Sequence, residues 1–325
     1  MTPFDELELL RLLVRIVESG SISAAARSLR MPQPTLSRHL RELEDRAGTT
    51  LLLRDTHRMS LTEAGHRLLA DARVLLSLAD EATNRLRQDR AELRGHLRVF
   101  ATIDLGQTAV SRVVARFLHE HPGVTAELKY SNRPVQMIEH GHDAGVVAGE
   151  VTDENVVARR IATLERMVVA SPGYLGGASA REPDDLPAHR WLGLSQTQFG
   201  GPVDSVTLLG PRGAQRRVPI RPILVAEGVT GLREAVREGL GLCVLPLWLV
   251  GDDLASGTLV RVLSDWRANP IPLSVIHLPQ RTPSARVQAF LDFAATQMLA
   301  EIESPSGAHA PAKAQVAGRP RRSRT

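Results

Sequence analysis

The sequence lacks the features that a secreted or membrane-embedded protein needs. Its 325 residues include one cysteine, Cys243, so no internal disulfide and no zinc site made of cysteine pairs is expected. A chain this poor in cysteine is typical of a reducing compartment, which favours the cytoplasm. No stretch approaches the roughly 20 apolar residues of a membrane span, and charged residues interrupt the apolar N-terminal segment. Neither membrane insertion nor a signal peptide is therefore expected.

Lysine and aromatic residues are also scarce, and the excess positive charge lies at the C-terminal end. Lysine occurs only at positions 129 and 313, and aromatic residues make up 3% of the chain. The segment from Glu303 onward holds five basic residues and one acidic residue, which accounts for the whole net charge of +4. Because the rest of the chain is close to neutral, only a local basic cluster can argue for a nucleic-acid partner.

What the first 50 residues contain is a set of three short predicted helices. Apolar periodicity predicts a helix over residues 5–19. Ser21 and Ser23 can cap a second helix that ends near Arg30. A third helix follows and stops at Gly48, since glycine is the usual residue just past a helix end.

The third helix, within MPQPTLSRHLRELED, has two unlike faces. At about 100° per residue, Leu36, Leu40 and Leu43 form a narrow apolar stripe. Arg38 and Arg41 lie on the opposite face. Two short helices, the second amphipathic with arginines on its outer face, are typical of a helix-turn-helix.

The next segment, TTLLLRDTHRMSLT, predicts a β-hairpin, or wing. Apolar residues alternate on both sides of the turn-like Asp55-Thr56, with Leu51 and Leu53 before it. Three residues with basic side chains lie at or beside the tip of this hairpin: Arg54, His57 and Arg58.

A long helix is predicted from about residue 63 to residue 93, with Thr62 as its cap. Apolar residues recur along it at spacings of four and three, which is the heptad pattern of a coiled coil. We expect this stripe to pair with a second copy of the chain, although it can also pack on its own domain. The predicted dimerisation residues are Leu68, Ala72, Leu75, Ala79, Ala82 and Leu86.

After Gly95, strands and helices alternate, which predicts an α/β fold with a mostly parallel sheet. The strands HLRVFAT and VTAELKY flank a helix at about residues 105–119, and a short helix at 134–140 precedes the strand AGVVAG. From Ser304 the chain is rich in Ala, Pro, Gly and Arg without apolar periodicity, which predicts a disordered basic tail. The expected units are residues 1–62, 63–93, 94–303 and 304–325.

The N-terminal residues resemble a known family. SGSISAAARSLRMPQPTLSRHLRELEDRAG and LLLRDTHRMSLTEAG are similar to the signature of LysR-type transcriptional regulators, and LHEHPGVTAEL, VVASPGYL and EAVREGLGLCVLP resemble its later landmarks. The resemblance covers about residues 4–298. Two positions depart from the pattern: Pro32 replaces a capping Ser or Thr, and Leu53 replaces a common Phe.

This resemblance implies an all-α winged helix-turn-helix domain, a long linker helix, and an α/β effector domain like a periplasmic binding protein, with two subdomains around a cleft. It implies a transcriptional regulator that binds double-stranded DNA at an interrupted palindrome as a homodimer or homotetramer, with RNA polymerase as a further candidate partner. Arginine and glutamine suit base edges, whereas Ser and helix-start amides suit phosphates. The predicted DNA-binding residues are Gln33, Pro34, Ser37, Arg38, Arg41, Arg54 and Arg58.

The effector is expected in the cleft, beyond the strand that ends at Ala101. The following helix start offers a hydroxyl and free amides, which would favour a carboxylate. Asp104 would disfavour an anion there unless it points elsewhere. The candidate effector-binding residues are Thr102, Ile103, Ser131 and Asn132; alternatively, Thr102 and Ser131 only cap turns.

Two other classes of protein fit the sequence less well. An enzyme on the same scaffold would need a nucleophile elbow or a phosphate loop, and the sequence has neither. A solute-binding module would not need the wing. HEH at 119–121 and EHGHD at 139–143 hold metal-ligand residue types without a helical ligand spacing, so neither a metal nor a cofactor other than the small-molecule effector is expected.

Overall fold

The computed structural model describes residues 3–54, 59–86, 93–132, 141–154, 156–177, 180–195, 204–279 and 283–303. The wing tip, the end of the linker helix, the helix predicted at 134–140 and the basic tail lie outside these ranges.

The N-terminal domain is built from three helices and a two-stranded hairpin, followed by a long helix. Its elements are α1 (Pro3–Glu18), α2 (Ile22–Ser28), α3 (Gln33–Ala47), β1 (Leu52–Arg54), β2 (Met59–Leu61) and α4 (Glu63–Leu86). Leu13 and Ile16 of α1 pack with Leu36 and Leu40 of α3 in a core from which water is excluded. The apolar stripe of the third predicted helix is therefore the face that anchors it.

The predicted hairpin forms, but burial along its first strand does not follow the apolar alternation of Leu51 and Leu53. Leu51 and Leu52 are both buried, whereas Leu53 is 54% exposed. Leu53, which replaces a common Phe of the family pattern, therefore points outward, since successive side chains of the strand Leu52–Arg54 face opposite sides.

The C-terminal domain alternates strands with helices. The helices are α5 (Ile103–Leu105), continued by a π-helical turn (Gly106–Val110), then α6 (Ser111–Glu120), α7 (Pro172–Leu175), α8 (Val229–Arg237), α9 (Leu247–Ser256) and α10 (Ala285–Glu303). The strands are β3 (Gly95–Ala101), β4 (Val124–Tyr130), β5 (Ala144–Ala148), β6 (Val157–Ala170), β7 (Trp191–Leu194), β8 (Ser205–Leu209), β9 (Gln215–Pro219), β10 (Pro222–Ala226), β11 (Cys243–Pro246), β12 (Val260–Val262) and β13 (Arg267–His277). Short 3₁₀ turns lie at Pro183–Ala188 and Pro211–Gly213.

The main sheet runs in the order β11-β6-β13-β5-β3-β4, with β12 beside β6 and β8 joining β13 to β9. The strands β7 and β10 form a separate parallel pair. Around β3 the pairing is parallel, as expected, but β6, β11 and β13 pair antiparallel. The prediction of a mostly parallel sheet was therefore wrong, since apolar periodicity carries no information on strand direction.

The antiparallel strands β6 and β13 join two subdomains. The C-terminal half of β13 pairs with β5 in the first subdomain, and its beginning pairs with β8 in the second. The β6–β13 register shifts between Ala268 and Ile271, where the two strands cross from one subdomain to the other. Separate apolar cores lie on either side, one around Phe117 and Phe290 and one around Trp191. The predicted architecture of a two-subdomain α/β domain is confirmed.

Candidate functional site

The exposed face of α3 carries most of the predicted DNA-binding residues. Gln33, Pro34, Arg38 and Arg41 are exposed, and Ser37 is half-buried beside them. Among the residues that the structure describes, no carboxylate lies within ion-pair distance of Arg38 or Arg41. Two guanidinium groups are thus available on the side of α3 that faces away from its core.

The neighbouring charges on α3 are arranged differently. Arg46 pairs with Glu42 one turn earlier, and His39 lies 3.6 Å from the same carboxylate. These side chains contact one another along the helix, whereas Arg38 and Arg41 project from its second and third turns.

The start of α3 has no side-chain cap. Pro32 is the N-cap residue, with φ −59° and ψ 132°, and it makes no capping hydrogen bond. The amides of Thr35 and Leu36 both donate to the Pro32 carbonyl, at 3.0 and 3.2 Å. Pro34 occupies the first turn, where its missing amide hydrogen loses nothing.

Polar contacts cap the helix before α3 and hold α3 against the strand after it. The Ser21 hydroxyl accepts from the Ala24 amide at 3.1 Å and so caps α2, as its sequence position predicted. Glu44 of α3 accepts the amides of Leu51 and Leu52 at 2.9 and 3.2 Å. The sequence did not reveal this role of Glu44, which fixes the wing strand against α3.

The wing and α4 are connected just as tightly. Thr62 donates to the Thr50 carbonyl at 2.8 Å and accepts from the Gly65 amide at 2.9 Å, which caps α4. A Cβ at Gly65 would lie 2.1 Å from the Leu51 carbonyl oxygen, so only glycine fits there. Of the predicted wing contacts, Arg54 pairs through its backbone with Met59, and Arg58 lies outside the described residues.

The predicted dimerisation stripe divides into two parts. Ala72 is fully buried and Leu68 half-buried in the core of the DNA-binding domain itself, so these two belong to the domain interior. Farther along the helix, Leu75 is 47% exposed and Ala79 is half-buried, although Leu76 between them still packs partly against the same core. Leu78, which the heptad count had missed, is 41% exposed on the same helix. The side chains of Ala82 and Leu86 lie outside the described residues.

A cavity of about 430 Å³ lies between the two subdomains of the C-terminal domain. The first subdomain contributes Thr102, Asp104 and Leu105 to its wall. The crossing strand β6 contributes Arg166, and the second subdomain contributes Arg217 among others. This volume is in the range of small-molecule sites, which is about 300–1,000 Å³.

Of the four predicted effector-binding residues, Thr102 alone lines the cavity. Ile103 and Asn132 instead bind each other: the Ile103 amide donates to Asn132 Oδ1 at 3.0 Å, and Asn132 Nδ2 donates to the Glu227 carbonyl at 2.5 Å. The Ser131 amide donates to the Ala101 carbonyl at 3.1 Å. The amide expected to be free at this helix start therefore donates within the protein, and Ile103, Ser131 and Asn132 do not line this cavity. Their role in effector binding stays a prediction.

Asp104 caps a helix across the cleft. Its carboxylate accepts the amides of Val229 and Thr230 at 3.0 and 2.9 Å, at the N-terminus of α8 in the second subdomain. A Cβ at Gly228 would lie 3.1 Å from this carboxylate, so the helix start fits closely around it. Asp104 is therefore a link between subdomains, with its charge directed at amide groups.

Two arginines and the cysteine complete the cavity wall. Arg166 Nε donates to the Asn269 carbonyl at 2.7 Å, and Arg217 Nε donates to the Ser205 hydroxyl at 3.1 Å. Burial lowers the pKa of Arg166 to about 10, so it stays protonated at neutral pH. Burial raises the pKa of Cys243 to about 12, which makes it an unreactive thiol, in agreement with the structural role expected of it.

Two described histidines of these motifs pack against aromatic rings. The His121 ring is tilted against Phe117 with centroids 4.6 Å apart, and the His142 ring lies 5.4 Å from that of Phe100. No group of metal-ligand residues suited to an ion is found within the part of the chain that the structure describes. In that same part, the helices are all too short or too polar to span a bilayer.

A winged helix-turn-helix joined to a two-subdomain domain with a central cleft defines a ligand-responsive DNA-binding regulator. Residues 7–66 match the family model for bacterial regulatory helix-turn-helix proteins of the lysR family, and residues 90–299 match the LysR substrate binding domain. The chain therefore belongs to the LysR-type transcriptional regulators. It is a DNA-binding activator or repressor of transcription whose activity is modulated by a small molecule bound in its C-terminal domain.

Similar proteins agree over nearly the whole chain. An HTH-type transcriptional regulator of Xanthomonas campestris is 32% identical over 293 residues, or 88% of this chain and 84% of that one. PtxR of Pseudomonas aeruginosa is 32% identical over 281 residues, covering 86% and 88%. Full-length CrgA of Neisseria meningitidis has a TM-score of 0.57 at 28% identity, covering 90% of this chain and 98% of its own.

Proposed function

We propose that two copies of this chain bind an interrupted palindrome in promoter DNA, each placing α3 in the major groove. The observation that carries this proposal is the outer face of α3, where Arg38 and Arg41 have no carboxylate partner among the described residues. Arginine side chains at such positions donate in pairs to guanine, and Gln33 suits adenine. The predicted wing residues Arg54 and Arg58 would then reach the neighbouring backbone or minor groove.

The dimer is proposed to form through α4. Leu75 and Leu78 expose apolar surface near the point where the helix leaves its own domain. Pairing two such helices buries that surface and sets the distance between the recognition helices to match successive turns of DNA. Further assembly to a tetramer, and contact with RNA polymerase on the same promoter, are compatible with this arrangement.

The cleft is proposed to hold the effector without catalysing a reaction on it. A ligand that binds better to one arrangement of the subdomains shifts the population towards it. Because β3 runs from the cleft to the side of the domain next to α1, this shift can alter the placement of α3 on DNA. The names of the similar proteins support regulation rather than catalysis, and the scarcity of cysteine supports action in the cytoplasm.

A gel-shift titration tests the proposed DNA contacts. We expect Arg38→Ala and Arg41→Ala each to weaken binding to the cognate promoter by about 1–3 kcal/mol, since each removes a bidentate contact. Arg160→Ala, an exposed arginine of the effector domain, is the control and should bind as the unchanged protein does. Unchanged affinity in both α3 variants would contradict the placement of this face in the groove.

A further inference from the structure

We propose that the cleft selects a small carboxylate with an apolar body, and that Arg166 and Arg217 bind its acid group. This inference rests on the effector role proposed for the cleft. It moves the anion away from the start of α5, where the sequence had suggested it, to the opposite wall of the cavity.

The two guanidinium groups have fixed places in the cavity wall. Arg166 lies on the crossing strand β6, opposite Pro246 of β11 and Ala268 of β13. Its hydrogen bond to the Asn269 carbonyl holds the group in the cavity wall, and the Ser205 hydroxyl holds Arg217 in the same way on β9. Each arginine donates through its Nε in these two hydrogen bonds, so both side chains have defined orientations in the wall.

The cavity wall carries more positive than negative charge. Among the described residues that line the cavity, Asp104 is the only one with a carboxylate. Its two oxygens already accept the amides of Val229 and Thr230. Two cations therefore face the cavity against one anion that is engaged elsewhere, and the balance favours a ligand of negative charge.

The guanidinium group of Arg166 is largely removed from water. Loss of water around Arg166 is the main reason that its pKa falls, and the group still carries its charge at neutral pH. An anion that binds beside a charge in a water-poor wall is attracted to it more strongly than it would be in bulk water. A carboxylate suits this site, because its two oxygens match the fork of an arginine.

The remaining wall defines the other end of the ligand. Leu105, Leu164, Ile220 and Trp248 give the cavity a largely apolar surface. The Thr102 hydroxyl is buried and, within the described part of the chain, has no hydrogen-bond partner. Because Thr102 belongs to the first subdomain and Arg217 to the second, a ligand that reaches both holds the two subdomains together.

Matched pairs of acids and amides test this assignment on the full-length protein. The probes are benzoate, phenylacetate and 2-naphthoate, each with its amide, and binding is followed by the fluorescence of Trp191 and Trp248 and by calorimetry. We expect at least one acid to bind about 10-fold or more tightly than its amide, as for a charge-assisted hydrogen bond. Arg166→Gln and Arg217→Gln should remove that preference, and Thr102→Val should weaken both members of a pair.

Neighbouring arginines outside the cavity wall supply the controls. Arg160→Gln lies on the same strand as Arg166, and Arg216→Gln lies beside Arg217; both should retain the preference for the acid. Equal binding of acid and amide, a preference that survives in Arg166→Gln and Arg217→Gln, or no binding of any acid would overturn the assignment. Calorimetry without DNA keeps this separate from the effector role, which fails instead if a bound acid leaves promoter affinity unchanged.

Discussion

Pro32 occupies the N-cap position of α3, where a serine or threonine hydroxyl is expected. A serine there could accept only the Thr35 amide, since Pro34 has no amide hydrogen to donate. The Thr35 amide already donates to the Pro32 carbonyl at 3.0 Å. The sequence alone predicts that Pro32→Ser stabilises the protein, whereas the hydrogen bonds at this turn argue that little is left for a serine to add.

We therefore expect Pro32→Ser to change the free energy of unfolding by less than about 0.5 kcal/mol, with any gain offset by the greater freedom of the unfolded chain. Urea titration measures this. Ser21→Ala is the matched control, because it removes an observed cap and should cost about 1 kcal/mol. A clear stabilisation by Pro32→Ser would show that the start of α3 has an unsatisfied amide that serine reaches.

Cys243 offers a second test at the scale of a residue. A thiol whose pKa is raised to about 12 by burial is almost entirely protonated at pH 8, and only the thiolate reacts. We expect the folded protein to react with a disulfide reagent about 100-fold or more slowly than the urea-unfolded protein, where the pKa returns to about 8.5. Equal rates, measured by absorbance, would show that the cavity exposes the sulfur.

Among the helices and strands, the element that the sequence described least well is the start of α5. Its position after a strand was predictable, and Thr102 does line the cleft. The partners of its neighbours were not predictable, because Asp104 and Val229 are far apart in the sequence and meet only when the subdomains fold. Asn132 likewise uses both ends of its amide to join segments that no local spacing connects.

The cap that Asp104 places on α8 can be measured. Asp104→Asn keeps the size of the side chain but loses a charge that accepts two amides, so we expect thermal stability to fall by about 1–2 kcal/mol. Asp184→Asn, an exposed acidic residue of the effector domain, is the control and should change stability little. If both variants unfold at the same temperature, the link between the subdomains does not depend on this charge.

The helix α4 carries the heptad repeat that the sequence predicted. Heptad spacing identified the helix and its stripe, but it could not say where the helix leaves its own domain. The structure places that point near Leu76, which still packs partly against the core of the DNA-binding domain, whereas Leu75 and Leu78 on either side of it are exposed. Light scattering should show that Leu75→Glu and Leu78→Glu lower the apparent mass. The exposed leucine of α10 provides the control variant, Leu299→Glu, and an unchanged mass in all three would place the dimer contact elsewhere.

At the scale of the whole molecule, the DNA-binding and effector domains meet at a charged contact. The sequence does not predict it, because its residues are far apart along the chain. Arg98 of β3 donates to the carboxylate of Glu18, at the end of α1, at 2.8 Å. The carboxylate of Glu127 on β4 lies 3.5 Å from Nε of the same arginine. Burial is the first cause of the lowered pKa of the nearby Arg73, and the positive charge of Arg98 adds to it. A Cβ at Gly141 of the effector domain would lie 2.5 Å from the side chain of Arg73, which belongs to α4. The two domains therefore approach closely here.

Arg98 lies on β3, four residues before the cleft residue Thr102. Its ion pair with Glu18 therefore connects the effector cleft to α1, the helix that supports α3. The pair is partly exposed, at 29% and 14%, so we expect a coupling free energy of no more than about 1 kcal/mol. Urea unfolding of Glu18→Gln, Arg98→Gln and the double variant measures it, and Arg15→Gln with Glu18→Gln gives the matching cycle within α1. The coupling between Glu18 and Arg98 should shrink in high salt, because salt screens exposed charges. Additive effects in low salt would mean that the two domains do not hold each other through this pair, and that the cleft must reach the DNA through α4 instead.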